Sequence, residues 1–248
     1  MQRNELENYL NQLLEISSFK DYCPNGIQVE GRNSIRKIVT GVTASLDLLN
    51  AAVAQEADAV IVHHGYFWRG ENACITGMKG RRIALLIQHE INLFAYHLPL
   101  DCHPELGNNA QLACRLGFIE QDRFGEQNIA VRGKLREAIP LSALSEKIAQ
   151  TLTREPLIIG DPGQSVKSVA WCTGAAQGYF EAAIAQGVDA YITGEISEQT
   201  VHLARESGVA FIAAGHHATE RYGVQALGEH LAEKFGIQHQ FIDIDNPV

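Results

Sequence analysis

Several residues able to hold a cation follow directly on apolar, strand-like runs. His63-His64-Gly65 comes after Val60-Ile-Val62, and Gly194-Glu195 after Tyr191-Ile-Thr193. His97 and Asp101 come after Leu93-Phe-Ala-Tyr96, and His216 with Glu220 after Phe211-Ile-Ala-Ala214. In open α/β sheets ligands bind beyond the carboxyl ends of the strands, and here that edge collects imidazoles and carboxylates. Adjacent residues of an extended segment point to opposite sides, so His63 and His64 are each expected to serve a different ion. His216 and Glu220 stand four apart at a predicted helix start and share a face. Asp101 offers a short carboxylate able to bridge two ions about 3.5–4 Å apart. The expected metal ligands are therefore His63, His64, Asp101, His216 and Glu220, holding two divalent ions per subunit. Mixed nitrogen and oxygen donors suit Fe, Zn or Mn alike. Glu195, at a strand end matching that of His64, is the candidate general base or proton shuttle, although a helix-start acid would look the same. His97 is the second candidate catalytic residue.

The elements that must position these groups alternate. Asn4-x-x-Glu7 reads as a capping box opening a helix whose apolar stripe is Leu6, Leu10, Leu13 and Ile16. After a loop over residues 21–31 come a strand (38–42), a helix (45–56), a strand (58–62), a glycine-rich loop, a helix (81–89), a strand (91–96) and a helix (108–116). The second half continues with a strand (129–135), a helix (142–153) and strands (157–159 and 166–172). Alternation of this kind predicts mostly parallel sheets covered by helices. An internal echo adds to it: residues 51–62 align without a gap on residues 182–193, with seven of twelve positions identical. The expected fold is thus α/β, with duplicated three-layer α/β/α units related by a pseudo-two-fold axis. The units are expected at residues 1–125 and 126–248, with a return of the last strand to the first as the alternative arrangement.

Composition narrows the function. Of the 248 residues 46% are hydrophobic and 20% charged, as in a soluble globular protein. The 20 Lys and Arg against 29 Asp and Glu leave −9, which disfavours non-specific nucleic-acid binding. The five cysteines form no C-x-x-C pair, the start is acidic, and no apolar run approaches a membrane span, so a cytoplasmic, membrane-free location is expected. The H-E-x-x-H, P-loop and G-x-S-x-G motifs are absent. Arg69, Lys79, Arg81 and Arg82 form a basic group that a triphosphate or plain solvent would satisfy equally.

The segments Asn25-Gly-Ile-Gln-Val29, Asp58-Ala-Val-Ile-Val-His-His-Gly65, His97-Leu-Pro-Leu-Asp101, Thr193-Gly-Glu195 and Gly215-His-His-Ala-Thr-Glu220 resemble the NIF-three-like dinuclear metal-binding family, often labelled GTP cyclohydrolase I type 2 homologues. The resemblance runs from about Asp21 onward. It implies a duplicated α/β fold, a homohexameric ring, and two metals on the residues matching His63, His64, Asp101, His216 and Glu220. The large insertion that some members carry between their halves is lacking. The implied activity is metal-dependent hydrolysis of a nucleotide or purine-ring substrate. The alternatives are a non-catalytic metal-binding ring, acting as interaction platform or metal store, and a two-metal nucleotide phosphoesterase.

Overall fold

A computed structural model describes residues Met1–Val248. Its first helix, α1 (Arg3–Leu13), starts earlier than the sequence signal suggests: the Glu5 carboxylate accepts from the Gln2 backbone N–H at 2.9 Å, so the box forms at Gln2 and not at Asn4. Leu6, Leu10 and Leu14 are buried, whereas Leu13 and Ile16 are only partly so. There follow β1 (Gly26–Val29), β2 (Lys37–Thr43), α2 (Leu46–Ala54), β3 (Ala59–His64), α3 (Gly77–Gln88), β4 (Asn92–Ala95) and α4 (Leu98–Cys102). The chain continues through α5 (Asn108–Leu116), β5 (Ile119–Phe124), β6 (Ala130–Pro140), α6 (Leu141–Leu152), β7 (Leu157–Ile159) and β8 (Ser165–Trp171). Last come α7 (Phe180–Ala185), β9 (Ala190–Thr193), α8 (Glu198–Ser207), β10 (Ala210–Ala213), α9 (His216–Phe235) and β11 (Gln238–Phe241).

These elements form two units, one of Met1–Gly107 with Gly223–Asp245, the other of Asn108–Tyr222 with Asn246–Val248. The division falls before α5 and not at residue 125, because Leu112 and Leu116 of α5 are buried against the second sheet.

The first unit carries a five-stranded sheet in the order β1-β4-β3-β2-β11. β4, β3, β2 and β11 are parallel, and β1 is antiparallel to β4. Alternation along the strands sends Ile38, Ile61 and Phe94 toward α1 and toward Val224, Leu227 and Leu231 of α9. Val39, Val60 and Leu93 face α2 and α3 through Leu48, Leu49, Ile83 and Leu86. Burial on both faces explains why β3 reads as an unbroken apolar run.

The second unit carries a six-stranded sheet, β5-β6-β8-β9-β10-β7. Only β8, β9 and β10 are parallel; β5–β6, β6–β8 and β7–β10 are antiparallel. Mostly parallel sheets were expected, so this is a correction. Its cause is a hairpin: β5, Ile-Glu-Gln-Asp-Arg-Phe, is polar and largely exposed, and it returns as β6 through a short connection, which only antiparallel strands permit. The architecture is α/β with two mixed sheets. No helix is long and apolar enough to cross a membrane.

The echoed segments fold alike. Asp58 and Asp189 each precede a strand, β3 and β9, and each turns a carboxylate onto the backbone of the neighbouring strand, at the start of β2 and within β8. Asp58 Oδ2 accepts from the backbone of Arg36 and Lys37 at 2.8 and 3.0 Å. Asp189 Oδ2 accepts from Lys167 and Ser168 at 2.9 and 2.8 Å. Burial would raise the Asp189 pKa, but these bonds hold it below the usual carboxylate range. Fixing the amino ends of the parallel strands fixes where their carboxyl ends emerge.

Candidate metal centre

In the first unit, β3 ends on His63 and His64. Gly65 then turns the chain where no side chain fits, since a Cβ there would lie 2.2 Å from Gln28 Oε1 and 2.6 Å from the Ala95 Cβ. The two rings do not diverge as strand alternation predicts: their centroids are 4.5 Å apart, because His64 is the last residue of the strand. His97 joins them, and one ligand atom from each of His63, His64 and His97 lies within 4.8 Å of the others.

Each imidazole is oriented through Nδ1. His63 Nδ1 donates to the Tyr96 carbonyl at 3.0 Å, which makes Nε2 the lone-pair nitrogen of the neutral ring. That Nε2 faces Asp101 Oδ1 at 3.5 Å, and both residues are buried. His64 Nδ1 lies 3.2 Å from Thr43 Oγ1, and His97 Nδ1 lies 2.8 Å from Asp21 Oδ1. Asp101 sits on the short helix α4, missed in the sequence because five residues carry no periodicity. Asp21 and Asn25 are given no role at the site by sequence reasoning, although Asn25 stands in a segment that carries the family resemblance. Burial would raise the Asp21 pKa, but the hydrogen bond and charge of His97, with bonds from Asn25 and Tyr22, hold it at about 2. Cys23 stands in the same group, and burial together with the Asp21 charge pushes its thiol up to about 12, so it stays protonated. None of the five cysteines is in a disulfide.

In the second unit, His216 opens α9 and Glu220 lies one turn on. His216 Nδ1 is 2.7 Å from Glu195 Oε1, and Nε2 is 3.1 Å from Glu220 Oε2. Burial alone would lower the His216 pKa, but the hydrogen bond and charge of Glu220, followed by those of Glu195, push it up to about 9. Glu195 lies before α8 and turns its carboxylate to the first residue of α9. The helix start is set by strand-end contacts: Thr219 Oγ1 donates to the His216 carbonyl at 2.9 Å and accepts from Gly174 N at 3.1 Å. Thr193 Oγ1 donates to the Gly174 carbonyl at 3.0 Å. Gly174 has φ +73, and a Cβ there would lie 2.1 Å from Glu220 Oε1.

The same arrangement thus occurs in each unit: a histidine gives its Nδ1–H to an oxygen and sets Nε2 beside a carboxylate oxygen. Histidines that ligate metal are held in this way. Of the basic group, Arg69 donates to the Asp21 carbonyl at 2.9 Å and Lys79 pairs with Glu71 at 3.3 Å, so two of its members are already engaged.

A two-unit α/β protein with a His and carboxylate cluster capable of metal coordination is the class that fold and site define. The chain belongs to the Duf34/NIF3 (NGG1p interacting factor 3) family, whose model matches residues 1–247. It is 57% identical over 240 residues to a GTP cyclohydrolase 1 type 2 homolog of Pseudomonas aeruginosa, covering 96% of this chain and 95% of that one. It is 53% identical over 250 residues to the protein of the same description from Haemophilus influenzae, with both chains covered in full, 100% each. Among solved structures it is similar to the protein ybgI, described as of unknown function, with TM-score 0.97, 52% identity and 100% of both chains covered. It is also similar to TTHA1606 of Thermus thermophilus, with TM-score 0.91, 35% identity and 100% of both chains covered.

Proposed function

We propose that this chain is a dinuclear metal protein in which His63, His64, Asp101, His216 and Glu220 hold two divalent ions, and that it hydrolyses a nucleotide or purine-ring substrate. The observation that carries this reading is the repeated imidazole–carboxylate geometry. His63 Nε2 faces Asp101 Oδ1 at 3.5 Å, a nitrogen and oxygen donor pair of the kind a divalent cation takes. His216 repeats the geometry, with Nδ1 2.7 Å from Glu195 Oε1 and Nε2 3.1 Å from Glu220 Oε2. The donors, imidazole nitrogen with carboxylate oxygen, fit Fe, Zn or Mn. When bound, such ions would supply acidification of a water and polarisation of the electrophile it attacks.

The chain's own residues do the rest. Asp101 and Glu220 bring negative charge that offsets the ions. Glu195 orients His216 through Nδ1 and is the carboxylate placed to accept a proton there. His97, held at Nδ1, keeps Nε2 for proton transfer. The names of the Pseudomonas and Haemophilus relatives, GTP cyclohydrolase 1 type 2 homolog, support a purine nucleotide as the first substrate class to try. The two strand-capping aspartates support reading the units as repeats of one plan, and the resemblance supports a cytoplasmic homohexamer.

Elemental analysis of gently purified protein, then of protein reconstituted with Mn, Fe and Zn in turn, tests the centre; two ions per chain are expected, and a reproducible value of one or fewer would overturn it. A nucleotide hydrolysis screen with each metal found tests the activity. Ring-opened purine is the expected product, inorganic phosphate identifies a phosphoesterase, and no turnover with two ions bound leaves a metal-binding protein without this activity.

A further inference from the structure

We infer that Asp21 is a positioning residue of this centre, holding His97 as its Nδ1–H tautomer and, with Asn25, fastening the helix that carries Asp101. The inference rests on the centre proposed above, with Asp101 as a ligand and His97 as its proton-transfer neighbour, and adds what sets its geometry.

Asp21 accepts four hydrogen bonds, two on each oxygen. Oδ1 takes the Tyr22 backbone N–H at 2.6 Å and His97 Nδ1 at 2.8 Å; Oδ2 takes Asn25 Nδ2 at 2.8 Å and Leu98 N at 2.9 Å. A carboxylate has about four lone-pair positions, so all are used. Its side chain is 3% exposed. A carboxylate so engaged is a poor metal ligand, and the grouping of Asp21, Cys23 and His97 is better understood as a clamp than as a third ion site. The clamp acts on two parts of the centre. On the imidazole, a carboxylate acceptor at Nδ1 requires the proton there, leaving Nε2 as the nitrogen available to the cluster with His63 and His64. On the backbone, Asn25 Oδ1 accepts from His97 N at 2.7 Å and Asp21 Oδ2 from Leu98 N, which satisfies two amides at the start of α4. Asp101 lies on that helix, its N–H bonded to the His97 carbonyl at 3.2 Å, so what holds His97 also places Asp101. The Trp68 indole closes the outer side, edge-on to the His97 ring with centroids 5.0 Å apart.

The test is the tautomer of His97 in the metal-free full chain, read from two-bond proton–nitrogen NMR correlations at about pH 8.5, well above the ordinary imidazole pKa of about 6.5. His97→Gln assigns the signal. The wild-type ring is expected as Nδ1–H. Asp21→Ala is expected to move it toward Nε2–H and, by loosening the helix that carries Asp101, to weaken Co(II) binding about 10-fold or more, the scale for losing a partner outside the ligands themselves. Asp21→Asn keeps an acceptor oxygen and is expected to retain the tautomer. Asn25→Ala, which removes bonds to the His97 backbone and to Asp21 Oδ2 but leaves the oxygen that faces the ring, is expected to leave the tautomer unchanged. A wild-type His97 found as Nε2–H overturns the inference whether or not any variant folds, as does a folded Asp21→Ala that keeps Nδ1–H. If the tautomers behave as expected but wild-type protein binds no Co(II), the metal reading fails and the role of Asp21 toward His97 stands.

Discussion

At the scale of single residues, the two candidate catalytic groups differ in what surrounds them. Glu195 has one partner in the centre, His216 Nδ1, at 2.7 Å, which makes orientation of His216 its first duty. Replacement of Glu195 therefore separates two roles. Glu195→Gln keeps an acceptor for Nδ1–H and removes the base, so both ions should remain while any hydrolase activity drops about 10²-fold or more. Glu195→Ala removes both, and metal affinity should fall about 10- to 100-fold as well. Titration with Co(II), followed by its absorption, checks this; equal affinities for the two variants would show that Glu195 does not orient His216. The cluster of imidazoles and carboxylates was legible in the sequence because such groups at strand ends are conspicuous. Their partners were not, since the Tyr96 carbonyl, Thr43 and Asp21 carry no signal until the chain brings them within 3.2 Å of a ring.

At the scale of elements, apolar runs and helix starts at Ser45 and Asn108 showed through, because local periodicity and caps are short-range properties. The hairpin of β5 and β6 did not: Ile119–Phe124 is polar on an exposed edge and has no run to see. Strand ends position the second-unit ligands through contacts as tight as those of a core, and Gly174 tests this. Gly174→Ala would strain a φ of +73, a cost of about 1–3 kcal/mol, and set a methyl group against Glu220 Oε1. It should displace that carboxylate and lower metal occupancy with every ligand present. Elemental analysis beside circular dichroism decides the matter, and a folded Gly174→Ala protein with full occupancy would show that the strand end does not set Glu220.

β11 offers a second test at this scale. His239 on this edge strand lies 2.8 Å from Thr40 Oγ1, and its ring packs where a Cβ on Gly228 of α9 would stand, 2.1 Å from Nε2. Burial lowers its pKa below 6.5, against an opposing pull from Glu229. A histidine whose folded pKa is depressed contributes stability that is fully present above the unfolded value of about 6.5 and is lost as pH falls toward the folded one. Urea midpoints in chelator should therefore fall between about pH 7.5 and 5.5, and fall less in His239→Gln. Equal falls would show that another group governs acid stability.

At the scale of the whole molecule, the −9 charge and the surface pull in opposite directions. Like-charged chains repel, so an assembly needs apolar contact to hold it. Around α3 the chain exposes Ile75 at 56%, Met78 at 67% and Ile87 at 60%, large side chains that a monomer leaves in water at a cost. The family resemblance supplies the expectation of a hexamer, and α3 supplies a place where contact would relieve both this exposure and, through its Arg81 and Arg82, part of the negative charge. Light scattering at micromolar concentration is expected to give a mass near six times 27.2 kDa. Repulsion between acidic copies is screened within about 10 Å at 0.1 M salt, so raising salt should preserve or strengthen an apolar assembly and weaken one built on ion pairs. Met78→Glu with Ile87→Glu then asks whether α3 is the contact: a smaller species would place the interface there, an unchanged hexamer would put it elsewhere, and a wild-type monomer would rule out the ring altogether.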